Sequence, residues 1–128
     1  LATPISWTSG LCVKNDGYVG IGTLSPLHML DVRGTAHFCR AIVKYDGWCD
    51  YVFNDNYKLI ALDSLETYVK ANKHLPDIPT ETEVMENGID LGEMDALLLK
   101  KIEELTLYTI EQQKQIDELK KIIETKNK

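Results

Sequence analysis

Three histidines could bind a metal ion or carry a proton near neutral pH: His28, His37 and His74. They lie far apart in the sequence, and none stands beside paired acidic residues at the spacing of a known metal site. If three chains met at an axis, one histidine from each could bind a metal ion or an anion, with His28 or His37 as the candidate. The alternative is ordinary surface or hydrogen-bonded histidines, and we assign no metal or cofactor to them.

The three cysteines, Cys12, Cys39 and Cys49, are widely and irregularly spaced. The spacing contains no CxxC pair and no cysteine–histidine zinc pattern. An odd number of cysteines favours buried, reduced thiols over a disulfide framework, with bridges between subunits as the alternative. We therefore predict no zinc site.

Oxygen-bearing side chains cluster in one stretch and could contact a cation: Asp46, Asp50, Asn54, Asp55 and Asn56. They lack the loop spacing of an EF-hand, so a weak calcium site is only the alternative to an ordinary polar surface. We predict no metal-binding residues in the chain.

Four aromatic residues occupy the same region: Trp48, Tyr51, Phe53 and Tyr57. Exposed aromatic rings could stack on a sugar. In a small domain, however, aromatic side chains supply much of the area that can be buried, and few other large residues are available here. We therefore predict that these four form the core of a head domain, with a sugar-binding surface as the alternative.

Two glycines, Gly20 and Gly22, alternate with Val19 and Ile21. A phosphate-binding loop would require a following Lys-Ser/Thr and the start of a helix, and neither is present. Glycine at this spacing lets backbones approach closely, as in a tightly wound strand or a strand near a symmetry axis. The pattern therefore indicates a structural role.

The chain has 128 residues with 14 Lys and Arg, 20 Asp and Glu, and a formal charge of −6. Nucleic-acid binding depends on Lys and Arg that neutralise phosphates, so this balance argues against it. No segment approaches the roughly 20 consecutive apolar residues of a membrane span. The chain begins with Leu rather than Met, and we expect it to be a piece of a longer polypeptide. No nucleophile–base pair is visible, so we predict that it is not an enzyme.

One long helix, predicted over residues 91–128, dominates the elements that position these residues. The stretch contains no Pro, and its single Gly, Gly92, stands near its start. Eight residues recur in it at alternating spacings of four and three, the a and d positions of a coiled coil. We call them the seam: Leu98, Ile102, Leu105, Thr109, Gln112, Ile116, Leu119 and Ile123. At about 1.5 Å per residue the helix would be roughly 54 Å long, too long for the small preceding domain to cover.

The composition of the seam bears on the number of chains. Isoleucine at the a positions with leucine at d favours two strands. Thr109 and Gln112 form a polar layer, which costs stability and sets register or strand number. Apolar residues beside the seam widen its face, which suits three strands or a helix that also packs on its own head: Leu107, Tyr108, Ile110 and Ile122. The alternative is a lone amphipathic helix folded back on the globular part.

The residues before the helix divide into a β segment over residues 1–40 and a small α+β head over residues 41–90. Asn15-Asp16-Gly17 signals a turn between two short strands. Leu30-Asp31-Val32 and Ala36-His37-Phe38 are predicted as two further short strands, separated by a turn at Gly34. Further strands are predicted within residues 41–61. The fold class is therefore predicted as α+β.

Helices and turns are predicted for the second half of the head. Asp63 or Ser64 is predicted to cap the first helix. The prolines within residues 75–79 exclude a helix there and predict an extended connection. Two later helix starts have capping-box spacing: Thr80 with Glu83, and Asp90 with Glu93.

The pattern V-G-I-G-T-x-x-P-x-x-x-L-D-V-x-G-T occupies residues 19–35. It resembles a segment that recurs in tail-fibre and surface-fibre proteins of Bacteroidetes bacteria and their phages, with Tyr18 where Asn is usual. Residues 47–53, 74–79 and 88–94 are similar to the C-terminal module that follows this segment in the same fibres. The match covers most of residues 18–128 in order.

The ending is more distantly similar to the intramolecular-chaperone domains of phage tail spikes and endosialidases, which close with a leucine-rich helix in a trimeric bundle. Those domains cleave themselves with a Ser-Asp-x-Arg-x-Lys motif. The motif is absent from the chain: Ser6, Ser25 and Ser64 have no lysine at that offset. Ser9 has Lys14 there, but Gly10 and Cys12 stand in place of the Asp and the Arg. The resemblance therefore does not carry self-cleavage over to this chain.

The resemblance implies a fibre-like, intertwined β part, a small helical connection and a parallel trimeric coiled coil over residues 91–128. It implies a homotrimeric module at the C-terminus of a phage or phage-like tail fibre, which holds three chains in register while they fold. The location would be a virion tail fibre, an extracellular particle or a cell surface. The alternative is an adhesin tip that binds a host-surface glycan or protein, with the coiled coil supplying valency.

Overall fold

The computed structural model of the protein describes residues 10–48 and 51–126. The fold is α+β, with three short strands followed by three helices, of which the last is long. The chain divides into two compact units, Leu1–Ile42 and Val43–Lys128. The long helix shares the second unit with residues 43–90. None of the helices in the described ranges is apolar over enough of its length to cross a membrane.

The first unit contains strands β1 (Leu11–Val13), β2 (Val19–Ile21) and β3 (Leu30–Val32) in the order β1-β2-β3. β1 and β2 are antiparallel, and the predicted turn joins them. In this turn Gly17 has a φ of 89° and donates its N–H to the carbonyl of Lys14 at 3.0 Å. Glycine adopts such a positive φ without steric cost. The predicted turn and the two strands that flank it are therefore confirmed.

β2 and β3 are parallel neighbours, joined by the short connection of residues 22–29. Parallel strands usually need a connection of about a dozen residues or more, so this one must fold closely over the sheet. It does so at Gly20, where a Cβ atom would collide with the carbonyl oxygen of Thr23. A side chain at position 20 would therefore displace the connection. Close packing within a single chain thus explains why glycine occupies this position.

The second unit contains helices α1 (Leu62–Asn72), α2 (Glu81–Asn87) and α3 (Leu91–Lys126). The capping box before α2 is confirmed, since the Glu83 N–H donates to Thr80 Oγ1 at 3.3 Å and the Thr80 N–H donates to Glu83 Oε2 at 2.8 Å. At the start of α3, Asp90 Oδ1 accepts from the Glu93 N–H at 2.9 Å. Both caps satisfy N–H groups that lack a partner within the helix.

The prediction that Asp63 or Ser64 caps α1 is wrong. The N-cap is Ala61, which has no side-chain cap, and its carbonyl accepts from the Leu65 N–H at 2.9 Å. Because the helix begins earlier than predicted, Asp63 lies in the first turn. A carboxylate there is favourable next to the positive end of the helix dipole.

Residues 75–79 form a turn rather than the predicted extended connection. The Ile78 N–H donates to the carbonyl of Leu75 at 3.2 Å, and Asp77 has a φ of 66°. Proline in the second position and a positive φ in the third are typical of a type II turn. The exclusion of a helix at this position was correct.

The strand predicted at Ala36-His37-Phe38 is wrong, since these residues form no strand. The strands predicted within residues 41–61 are also wrong for the described part of that range, residues 41–48 and 51–61, which contains no strand. Successive turns occupy it instead, with the Asn54 N–H bonded to the carbonyl of Tyr51 and the Tyr57 N–H bonded to that of Asn54. β-Prone residues form a strand only where a second strand pairs with them, and this segment packs against a helix.

Candidate self-association surface

The two halves of α3 lie in different environments. In the first half Gly92, Ala96 and Glu103 are buried against the head. A Cβ atom at Gly92 would lie 2.8 Å from the Cβ atom of Tyr45, so the helix and this segment are in close contact. By contrast, every residue of α3 from 109 to 126 is exposed. The folded-back helix considered from the sequence therefore describes the first half of α3 but not the second.

A polar network holds the 75–79 turn against α3. Asp77 Oδ2 accepts from Lys100 Nζ at 2.8 Å and lies 3.5 Å from Lys101 Nζ, while Lys101 Nζ also contacts Glu104 Oε2 at 3.0 Å. The hydrogen bond from Lys100 lowers the pKa of Asp77 and raises the pKa of Lys100. The pair is therefore charged across the neutral range, and it fixes the turn to the helix.

Two tyrosines attach the segment before α1 to the same helix. The Tyr57 hydroxyl donates to Glu104, and the Tyr108 hydroxyl donates to the carbonyl of Ile60 at 2.5 Å. Desolvation, followed by the hydrogen bond to Glu104, raises the pKa of Tyr57. Both hydroxyls thus stay protonated near neutral pH and remain able to donate. These contacts could not be predicted from local sequence patterns, because the partners lie about 50 residues apart.

The seam predicted from the sequence lies along one face of α3 and is exposed. Its six apolar members, Leu98, Ile102, Leu105, Ile116, Leu119 and Ile123, are 46–63% exposed in the single chain. By contrast, Val52 and Ala96 are buried, each 1% exposed. A folded monomer rarely leaves so continuous an apolar stripe in water.

The polar layer of the seam is asymmetric. The Thr109 hydroxyl donates to the carbonyl of Leu105 at 2.9 Å, which satisfies it within its own helix. The Gln112 amide makes no hydrogen bond to another described residue. Gln112 is therefore the member of this layer whose donors and acceptor are available to a second chain.

The four apolar residues beside the seam differ in their exposure. Leu107 and Tyr108 are half-buried. Ile110 and Ile122 are 48% and 49% exposed. The contact from Tyr108 to the head accounts for part of the widened face within one chain, while Ile110 and Ile122 leave apolar area beside the seam uncovered.

The β sheet has a second uncovered apolar surface. Its strand register places six aliphatic residues on one side, and we call this side the aliphatic face: Leu11, Val13, Val19, Ile21, Leu30 and Val32. The opposite side carries Cys12, Gly20 and Asp31 in register. Four members of the aliphatic face are 44–64% exposed. A sheet that is apolar on one side needs another layer to cover it.

The four aromatic residues predicted as a head core are only partly covered in the single chain. Trp48 is 56% exposed, Tyr51 is 42% exposed and Phe53 is 58% exposed, whereas Tyr57 is half-buried. Val52, which lies between Tyr51 and Phe53, is the side chain that is fully buried. The rings of Tyr51 and Tyr57 lie 5.9 Å apart, and Lys100 Nζ lies 5.7 Å from the Tyr51 ring centre. The four rings are therefore not fully buried in the single chain.

The histidines and cysteines lie apart from one another. His28 Nδ1 is 3.8 Å from Asp31 Oδ2, and His74 contacts the Tyr68 ring edge-on at 5.7 Å. Cys12 is half-buried and Cys39 is exposed, so the predicted burial of the thiols does not hold for Cys39 in the single chain. Within the described ranges no three His, Cys, Asp or Glu side chains converge on a metal-sized site. Cys49 and Asp50 lie outside the described residues.

Glu103 is a buried charged residue on α3. It is 9% exposed, and its Oε2 atom has no hydrogen-bond partner. Glu103 occupies the b position of the heptad, on the head side of α3. The heptad pattern does not predict the burial of Glu103, because b positions of a coiled coil normally face water. The burial results from packing against the head.

We compared the chain with protein-family models, with curated proteins and with solved structures, and none of them matches it.

Proposed function

We propose that the chain is a structural module that joins three copies at the C-terminus of a phage or phage-like tail fibre. In this proposal the seam forms a parallel trimeric coiled coil, and the aliphatic faces of the three β units cover one another. The function is structural, and we assign no catalytic residue, cofactor or metal. The proposed location is a virion tail fibre, an extracellular particle or a cell surface.

The observation that carries the proposal is the exposure of the apolar seam residues from Leu98 to Ile123. Leu98 at one end is 48% exposed and Ile123 at the other is 58% exposed, with the heptad spacing unbroken between them. Burial of a leucine or isoleucine side chain stabilises by about 1.5–3 kcal/mol, so this stripe strongly favours association. A second copy offers the matching stripe.

The fibre and the number three are supported by the resemblance in residues 19–35 and in the later stretches. The physical benefit of a coiled coil in such a fibre is alignment of the chains. Strand pairing between chains is non-local and therefore slow, whereas helices form in about a microsecond. Once the seam has joined the chains, it raises the effective concentration of their β units.

The test is the mass of the full chain in solution, measured by light scattering for the wild type and for the double variant Leu105→Asp, Ile116→Asp. We expect three chains for the wild type. We expect monomers or aggregates for the variant, because two carboxylates per chain would be buried in the seam without partners.

A matched control is Lys114→Asp with Lys121→Asp, since both lysines are exposed on the side of α3 opposite the seam. This control should remain trimeric although it changes the charge of the helix more. A monomeric wild type, or a soluble trimer from the seam variant, would rule the proposal out. A wild-type dimer would keep self-association but remove the link to trimeric fibres.

A second candidate function, an adhesin that binds a host-surface glycan or protein, is favoured by the exposure of Trp48 and Phe53, which are 56% and 58% exposed. Aromatic rings at a surface can stack on sugars through their apolar faces. A glycan array with the full chain tests this function. Binding that Trp48→Ala abolishes without a change in mass would support the adhesin; no binding by the trimeric wild type would count against glycan recognition.

A further inference from the structure

An apolar groove of about 440 Å³ runs along the first part of the seam. Its floor consists of five seam residues on α3: Leu98, Ile102, Leu105, Thr109 and Gln112. One wall is formed by Leu62 and Leu65 of α1 together with Leu75 and Pro76 of the turn. The groove thus combines the predicted coiled-coil surface with parts of the head that the heptad pattern does not include.

The wall is held in place by the contacts already described. Asp77, which follows Pro76 in the turn, is bonded to Lys100 at 2.8 Å. The Tyr108 hydroxyl is bonded at 2.5 Å to the carbonyl of Ile60, just before the first residue of α1. These contacts fix both parts of the wall to α3, so the groove exists before a partner enters it. A preformed groove avoids part of the ordering cost of binding.

The position of the groove identifies its occupant. Its floor is the N-terminal part of the seam, and the same stripe continues to Ile116, Leu119 and Ile123 beyond the groove. A helix that follows the seam over its length must therefore pass through the groove. Of the partners that would bury both parts of the stripe, α3 of a second copy is the one with matching heptad spacing.

The charges at the groove do not oppose this occupant. Lys101 and Glu104 line it, and they are paired with each other at 3.0 Å within one chain. In a parallel, in-register coiled coil a g position faces the e position of the next heptad, so Lys101 would face Thr106 of the second copy. No like charges meet at this position.

We infer that α1 and the 75–76 turn of one chain hold α3 of a second copy against the seam. The head is then part of the interface between chains, and Leu62 and Leu65 contact a neighbouring helix. This inference rests on the proposed self-association. It adds that the association surface is wider than the seam and includes α1.

The inference is tested in the full chain with Leu65→Glu and its control Thr67→Glu. Thr67 lies on the opposite side of α1, where its hydroxyl bonds only to the carbonyl of Asp63. By sedimentation, Leu65→Glu should weaken association on the order of tenfold or more, because a carboxylate would be buried between leucines. Thr67→Glu should leave it unchanged.

A photo-crosslinking amino acid at position 62 or 67 provides a second measurement that does not depend on the folding of a charged variant. We expect position 62 to crosslink to α3 of another chain, as seen by a doubled mass and mapped peptides, and position 67 not to. Oligomeric wild type with unchanged association of Leu65→Glu, or with no crosslink between chains from position 62, would overturn the inference alone. A monomeric wild type would instead overturn the proposed function on which it rests.

Discussion

Asp77 combines an unusual backbone conformation with two charged partners. Its φ of 66° is one that residues with a side chain rarely adopt, although Asp and Asn tolerate it best. Lys100 at 2.8 Å and Lys101 at 3.5 Å face its carboxylate. This single residue therefore determines both the shape of the turn and its attachment to α3.

The lowered pKa of Asp77 predicts a loss of stability in acid. The contact contributes fully above the ordinary aspartate pKa of about 3.9, and its contribution is lost as the pH falls through the lower pKa of the folded state. The unfolding free energy of the wild type should therefore decrease below about pH 4 by up to about 1 kcal/mol more than that of Asp77→Asn. The contribution is small because the Asp77 side chain is 52% exposed.

Denaturant titration at several pH values checks this prediction. Asn is the matched replacement, since it keeps the turn conformation and removes only the titrating charge. Parallel pH curves for the two proteins would show that the ion pair contributes nothing measurable.

At the scale of elements, α3 combines a packed first half with an exposed second half, and the polar layer lies where the two meet. Thr109 and Gln112 interrupt a seam that is otherwise isoleucine and leucine. Polar residues at such positions commonly specify register and strand number at some expense of stability.

We predict that Thr109→Ile with Gln112→Leu raises the stability of the assembly, by roughly 1–3 kcal/mol per chain, because two further apolar side chains are buried. In light scattering, the same variant should no longer show a single mass but a mixture of assemblies with different numbers of chains. A homogeneous trimer with unchanged thermal stability would show that the polar layer has neither role.

The sequence predicted those elements whose signals are local. The hairpin turn at Gly17, the capping box at Thr80 and the long helix are each encoded by neighbouring residues, and the structure has all three. The strands expected within residues 41–61 are absent from the described residues of that range, because contacts to a helix far along the chain, such as Tyr57 with Glu104, decide the conformation there. The groove could not be predicted from the sequence either, because its wall and its floor come from segments that are far apart in the chain.

At the scale of the whole molecule, the first unit has little means of staying folded alone. Its strands are three residues each, and one entire side of the sheet is aliphatic and largely exposed. Sheets this small are marginal in water without packing on an apolar face. Its stability should therefore depend on the other copies.

Hydrogen exchange measured by mass spectrometry tests this dependence. In the wild type we expect slow exchange in residues 11–13, 19–21 and 30–32. In soluble monomers of Leu105→Asp, Ile116→Asp the same residues should exchange about tenfold faster or more, because local opening exposes them. The control Lys114→Asp, Lys121→Asp should resemble the wild type. Equal protection in monomer and wild type would show that the β unit folds independently.

The unequal halves of α3 also give assembly a direction. The first half is packed on its head, whereas residues 109–126 are exposed in the single chain. Most of the stability of a helix in a protein comes from packing of its apolar face, so the second half is the less stable one before the chains associate. Neighbouring chains should therefore meet first beside the head, and the coil should zip outward toward residue 126. A fault near the head would then block assembly at its first step, while a fault near the C-terminus would leave a trimer that frays at its tip.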